Sequence, residues 1–254
     1  MTFFDVCGVH VSVTNLNLAF ETFLKWIAAK EKQYVCVAPV ATIVDCQRDE
    51  AYRRIVNQAG MVTPDGMPVV WLGRRAGHPQ VARTYGPDLM TLISDLGRQK
   101  NLKHYFYGGS AATLDLLEQR LRDQFPQIHI VGKFAPEIKD VGVQEETTRL
   151  VQINEAAPDI LWVGLGSPKQ DIWMAQHRDL LDVPVMVGVG AAFDFLAGVK
   201  PQAPKWMQRS GLEWLFRFCC EPKRLWRRYL IGNSFFIYLL CKQFLFSKKK
   251  EANT

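Results

Sequence analysis

Apolar residues at Leu16, Phe20, Phe23, Leu24 and Ile27 recur at helical spacing, and the apolar run 34–38 after them predicts a buried strand. Residues 104–107 predict another strand, Gly108-Gly109-Ser110 a turn with Ser110 as helix N-cap, and Leu114, Leu117, Leu121 and Phe125 one face of the next helix. Residues 128–131 supply the following strand. The pattern returns at 159–164, which runs into Leu165-Gly166-Ser167-Pro168 and a helix carrying Ile172, Trp173 and Leu180, and again in the all-apolar 185–189 ending at Gly190. Near-continuous apolar strands alternating with amphipathic helices predict an α/β fold, a Rossmann-like and mostly parallel sheet with helices on both faces. Ligands of such sheets bind beyond the carboxyl ends of the strands, so the strand-end loops are where chemistry is sought.

The C-terminal stretch has a different pattern. With Pro222 as first helical residue, the α-helical period puts Lys223, Arg224, Arg227 and Arg228 on one side and Leu225, Trp226, Tyr229 and Leu230 on the other, with Ile231 out of place. A basic, aromatic, amphipathic helix fits a membrane interface, where Lys and Arg meet lipid phosphates and Trp and Tyr sit at headgroup depth. A docked helix with a solvated basic face fits equally well. Residues 229–246 are largely apolar but contain Asn233, Ser234, Lys242 and Gln243, and they fall short of the ~20 apolar residues of a span. An interfacial or docked segment ending in Lys248-Lys249-Lys250 is expected, and a single span is the lesser alternative. The division is an α/β body over 1–199 and a C-terminal helical, membrane-associating appendage over 200–254.

Charge follows the same division. The formal net charge is +6, from 31 Lys and Arg against 25 Asp and Glu, yet residues 200–254 hold 12 of the basic residues and three of the acidic ones. The body is therefore slightly acidic and the appendage carries +9. The basic residues lie on an amphipathic helix without a nucleic-acid-binding motif, so anionic lipid and diphosphates are the expected partners and nucleic acid is not. With 254 residues, 48% hydrophobic and 22% charged, the chain excludes intrinsic disorder and a disulfide-stapled miniprotein. Six scattered cysteines without CxxC spacing read as free thiols of a reducing, cytoplasmic compartment, and the N-terminus lacks a signal-peptide pattern. The five histidines show no metal-ligand spacing, so no metal is expected.

Three loops are candidates for chemistry. The stretches FYGGS from Phe106 and VGLGSPKQ from Val163 resemble anion cradles, in which backbone N–H groups and a helix dipole meet a phosphate; Lys169 adds a charge. Neither matches a dinucleotide or Walker pattern, and tight βα turns that need Gly for steric reasons explain both at least as well. The third loop is Thr63-Pro64-Asp65-Gly66-Met67-Pro68, an ordinary turn signal in which Asp65, if placed in a cleft, can take a proton from an attacking hydroxyl. No DxD motif occurs, so a bound diphosphate has to be neutralised by backbone N–H groups and Lys or Arg.

The blocks TPDGMPVVW from Thr63, YGPDLM from Tyr85, FYGGS from Phe106, VGLGSPKQD from Val163, VGVGAAFDFLAG from Val187, PQAPKWMQRSGLEWLFR from Pro201 and EPKRLWRRYL from Glu221 together resemble the WecG/TagA/CpsF family of glycosyltransferases. They span nearly the whole chain, and several are most similar to members found with exopolysaccharide genes. The resemblance makes 1–199 the glycosyltransferase body and implies an inverting, metal-independent transferase without a cofactor. It would move a hexose or N-acetylhexosamine from a UDP-sugar to a polyprenyl-diphosphate-linked glycan, peripherally bound to the inner face of the cytoplasmic membrane. It implies Asp65 as catalytic base and Gln170 within a donor-contacting block that includes Gly164, Gly166 and Lys169. By the same likeness Gly108 and Gly109 belong to the substrate-binding loops, Asp194 is a nucleoside ligand, Phe134 stacks on uracil, and Arg217, Arg224 and Arg228 close over the donor diphosphate.

One departure stands out. Where many members have a Thr-x-Asn pair before the Asp loop, this chain reads Val37-Ala38-Pro39, which removes two polar contacts. A different sugar, a different acceptor and reduced activity are the three consequences left open, as is a homo-oligomer. A non-catalytic membrane-peripheral nucleotide-binding or scaffold protein is the alternative function. A nucleotide-dependent oxidoreductase is disfavoured by the absence of GxGxxG after the first strand.

Overall fold

In the computed structural model the described residues are 1–136 and 143–251, with backbone alone at 143–146, 244 and 246–251. The side chains of Phe244, Phe246 and Lys248-Lys249-Lys250 therefore lie outside the described residues. β1 (Phe3–Val6) and β2 (Val9–Ser12) form a hairpin, followed by α1 (Leu16–Ala29), β3 (Gln33–Ala38), α2 (Val40–Arg48), α3 (Glu50–Gln58), β4 (Met61–Pro64), α4 (Met67–Arg75) and α5 (Gly86–Leu96). Next come β5 (Lys103–Gly108), α6 (Ala111–Gln124), β6 (His129–Phe134), α7 (Val143–Ala156), β7 (Ile160–Gly164), α8 (Lys169–His177), β8 (Val185–Gly188) and α9 (Ala192–Leu196). The C-terminal helices are α10 (Lys205–Arg209), α11 (Glu213–Cys220), α12 (Pro222–Trp226), a π-helical turn at Arg227–Ile231, and α13 (Gly232–Glu251).

Six strands form one sheet in the order β4-β3-β8-β7-β5-β6, every neighbouring pair parallel. The apolar runs are near-continuous because both faces are covered. Val35, Val37, Phe106, Trp162 and Val187 pack into one core with α1, α5, α6 and α9. Their sequence neighbours Tyr34, Cys36, Tyr107, Leu161 and Met186 pack into the other, with α2, α3, α8 and Phe236 of α13. Alternate residues of one strand thus serve opposite layers, as the pleat requires. Parallel strands also share one carboxyl edge, which gathers the loops after Pro64, Ala38, Gly188, Gly164, Gly108 and Phe134 along one side of the molecule.

Ser110 caps α6 as expected, its hydroxyl accepting from the Thr113 N–H at 3.1 Å. Leu180 does not belong to the helix assigned to it: α8 ends at His177, and Leu180 is an exposed turn residue. In the appendage, a strict helical period fails at the π turn, which has more residues per turn and shifts the register. Leu225, Tyr229 and Phe236 are buried, whereas Trp226, Leu230, Ile231, Ile237 and Tyr238 are exposed. The apolar side inferred from sequence is therefore two surfaces, one docked and one facing out. The docked surface packs α13 on α2, and Gln243 pins it further by accepting from the Cys7 N–H at 3.0 Å. Among the described residues, no helix is long and apolar enough to cross a membrane.

Candidate active site

β4 ends in Thr63 and Pro64, and the chain then turns through Asp65 and Gly66 into α4. The turn is fixed by its backbone. Thr84 N–H donates to the Pro64 carbonyl at 2.9 Å, and the Thr63 hydroxyl donates to the Thr84 carbonyl at 3.1 Å. Asp65 then projects into a cleft of about 370 Å³ roofed by the appendage. Pro39 and Val40, where the chain leaves β3 and enters α2, form one wall, Glu213, Trp214 and Arg217 of α11 another, and Arg228, Tyr229 and Phe236 the roof. Most of the lining is apolar, with the charged groups gathered about Asp65.

Arg83 organises that charged end. Its Nε donates to the Asp65 carbonyl at 2.7 Å, one Nη donates to Gln208 at 2.8 Å, and the other pairs with the Glu213 carboxylate while lying 4.0 Å from the Asp65 carboxylate. The guanidinium also sits 3.9 Å from the centre of the Tyr85 ring. Arg83 thus joins the strand-end loop to α10 and α11. The Asp65 side chain is 17% exposed. Burial pushes its carboxyl up to about 6; Arg83 opposes this, Glu213 adds to it, and Arg217 and Arg228 pull it back. A carboxylate ionised at neutral pH but more basic than usual, and open to a cleft, is suited to general-base chemistry.

Asp65, Arg217 and Arg228 are thus brought together across more than 160 residues of chain. Arg217 also lies 5.4 Å over the Phe195 ring. Arg224 lies outside the cleft lining, exposed and paired with Glu221. The remaining candidates line the same carboxyl edge farther along. Gly108, at φ +120°, leaves a Cβ only 2.6 Å from the Gly164 backbone, and a Cβ on Gly164 meets Phe193 at 2.4 Å. For these two, close packing of adjacent βα turns is sufficient reason for glycine. Gly109 donates its N–H to the Gly164 carbonyl. Gly166 differs: at φ +79° it faces open space, so its backbone is free to be approached.

Gln170 is buried, its Oε1 accepting from the Gly166 N–H at 3.0 Å and its Nε2 donating to Ser167 at 3.2 Å. It shapes the loop from within, while Lys169 beside it is exposed. Asp194 pairs with Lys200 at 2.8 Å. Phe134 stacks on Tyr107 at 5.9 Å with the Arg149 guanidinium 4.5 Å from its centre. Pro39, within the Val37-Ala38-Pro39 stretch, is the N-cap of α2 and makes no side-chain cap bond.

Sequence reasoning missed Arg83, Gln208 and Glu213. Arg83 stands two residues before the block at Tyr85 and the other two lie inside the block at Pro201, so the resemblance marked their neighbourhoods. Their roles depend on a contact between distant segments, which no local pattern encodes.

Residues 4–250 match the family described as Glycosyl transferase WecG/TagA/CpsF family. The chain is 32% identical over 186 residues, 73% of this chain and 70% of the relative, to the N-acetylglucosaminyldiphosphoundecaprenol N-acetyl-beta-D-mannosaminyltransferase of Bacillus spizizenii. Proteins of the same name in Bacillus subtilis, 30% identical over 72% of this chain and 69% of the relative, and in Staphylococcus aureus, 26% identical over 94% and 92%, are also similar. The names of these relatives describe N-acetyl-beta-D-mannosaminyl transfer to N-acetylglucosaminyldiphosphoundecaprenol, and they do not mention the exopolysaccharide genes expected from the wording of the blocks. With its parallel sheet, its cleft at the carboxyl edge and its family match over nearly the whole length, the chain is a glycosyltransferase of the WecG/TagA/CpsF family.

Proposed function

We propose that this protein is an inverting, metal-independent transferase that moves an N-acetylhexosamine or hexose from a UDP-sugar to a polyprenyl-diphosphate-linked saccharide at the inner membrane face. N-acetylmannosamine is the first donor sugar to test and N-acetylglucosamine the first acceptor sugar, from the names of the relatives. The observation that carries the reading is Asp65, raised in pKa and set in a cleft with Arg217 and Arg228. Asp65 takes the proton of the acceptor hydroxyl as its oxygen attacks the anomeric carbon from the face opposite UDP, which inverts that centre in one displacement. Arg217 and Arg228 meet the charge that builds on the departing diphosphate, the work a divalent metal does in DxD enzymes. Residues 200–254 act as an appendage that supplies these arginines and, through exposed Trp226, Leu230, Ile231, Ile237 and Tyr238, rests on the membrane.

The decisive experiment offers a panel of UDP-sugars with polyprenyl-diphosphate-linked mono- to tetrasaccharide acceptors and reads UDP release together with product mass. Transfer of one sugar with inverted anomeric configuration, undiminished by a chelator, is expected. Release of UDP without glycolipid product, or no transfer across the panel, overturns the reading.

A further inference from the structure

Next to the Asp65 cleft is a second cavity, of about 310 Å³, with a different lining. Arg48 from α2 and Arg227 and Arg228 from the π turn converge on it, and Asp45 is the one carboxylate in its described wall. Among the described residues, none of the three guanidinium groups has an ion pair. Arg48 lies 5.8 Å over the Phe235 ring and Arg227 lies 5.2 Å over the Trp226 ring. Three guanidinium groups, all on exposed residues, against one carboxylate leave an excess of positive charge around one recess, which a divalent anion compensates. Burial holds the Asp45 carboxyl above its ordinary range, with Arg228 and Arg48 drawing it down.

The two cavities share Ala41 and Arg228. A ligand that fills both would place its anion on Arg48 and Arg227 and its next group toward Asp65. Ile231 lines the second cavity and is itself exposed, as are Leu230 beside it in sequence and Trp226 one turn before Leu230. The anion therefore has an apolar way out along the same helix, which suits a phosphate carried on a lipid better than a free one.

We infer that the second cavity is the seat of the acceptor's diphosphate, held by Arg48 and Arg227, with Asp45 accepting hydrogen bonds from hydroxyls of the attached sugar. The inference rests on the proposed function, since it supplies that reaction's acceptor subsite. The arginines then have separate roles, with Arg217 serving the donor side, Arg48 and Arg227 the acceptor side, and Arg228 standing between.

The test uses the full chain and Arg48→Gln and Arg227→Gln, singly and combined. The probe is N-acetylglucosamine-diphosphate carrying a short prenyl chain, bound in detergent, with stabilisation by UDP measured in parallel. Each substitution removes a charge-assisted contact to phosphate, so acceptor affinity falls about ten-fold or more while UDP stabilisation is unchanged. Arg48→Lys, which keeps the charge without the fork, recovers part of the loss. Acceptor affinity equal to wild type in the double variant overturns the inference. So does a loss confined to phosphatidylglycerol vesicles, which makes the cavity a headgroup site. Arg48 and Arg227 are both exposed, so neither substitution opens the core, and the Arg227 variant stands as an independent test of the same site. Binding is read without turnover. Arginine-dependent acceptor binding without transfer leaves this inference standing and removes the proposed reaction. Transfer with an unchanged acceptor KM in the double variant does the reverse.

Discussion

Asp65, the proposed base, carries a thermodynamic cost where it sits in the cleft. Its folded pKa of about 6 lies above the ordinary 3.8, so the folded protein binds the proton more tightly than the unfolded chain does. The sign follows: the unfavourable contribution is absent below about pH 4, grows as pH rises, and is complete above about 6. Asp65→Asn, which stays neutral, is therefore expected to raise stability on the order of 1–3 kcal/mol at pH 7–8 and to change it little near pH 4. Its transfer rate is expected to drop about 10²–10⁴-fold with UDP stabilisation retained. Thermal melts across pH, set beside turnover, check both halves, and near wild-type turnover removes Asp65 as base. For the wild-type enzyme, kcat/KM is expected to rise with pH through about 6 and then level off, because the free enzyme must lose that proton before it can accept another. An acid limb near 4 would mean that another group limits the rate. Asp65 itself was legible in the sequence only through its block. As a Pro-Asp-Gly turn it looks like any other, since what distinguishes it is the cleft that buries it.

At the scale of elements, Arg83 is the link between the β4 loop and the helices of the appendage. Its guanidinium stands between two carboxylates, those of Asp65 and Glu213, with its side chain 13% exposed. Arg83→Gln leaves two like charges facing each other with the guanidinium paired to Glu213 gone and Arg217 left to offset both. A destabilisation of about 3 kcal/mol is expected, with the acid limb of kcat/KM displaced to higher pH as Asp65 becomes harder to ionise. Denaturant melts and a pH profile test this; a profile that stays in place would show that Arg83 braces the loop without tuning its acid. The elements legible from pattern were those buried on both faces, such as β3, β5, β7 and β8, whose apolar runs need no alternation. The hairpin β1–β2 was not, because its turn residues Cys7 and Gly8 both take positive φ where Asn-Gly or Asp-Gly would advertise the turn. β4 was missed because it has only four residues and ends in Pro. The π turn has no signature in a sequence read at a single helical period, and it shifts the register of the helix that follows it.

For the whole molecule, the separation of charge along the chain becomes a separation in space. The slightly acidic α/β body carries Asp65, the proposed base, at its sheet edge, and the strongly basic appendage lies over it with one apolar face docked and another exposed. If the outer face rests on lipid, the same helix that closes the cleft also sets its mouth against the surface where a lipid-linked acceptor is found. Leu230 and Tyr238, at 51% and 59% exposed and outside the lining of the Asp65 cleft, contribute little to the folded state and much to such a contact. Leu230→Lys combined with Tyr238→Lys is expected to leave the melting temperature nearly unchanged and to keep UDP stabilisation, while weakening co-sedimentation with phosphatidylglycerol-containing vesicles. Added positive charge by itself favours anionic vesicles, so a net weakening isolates the apolar contribution. Transfer to a long-chain acceptor embedded in vesicles should fall with binding, whereas transfer to a short-chain acceptor in detergent should be retained. Loss of both would place these residues in the catalytic cleft instead, and unchanged co-sedimentation would leave the basic side chains Lys223, Arg224 and Arg227 to account for the contact, with binding then abolished by salt.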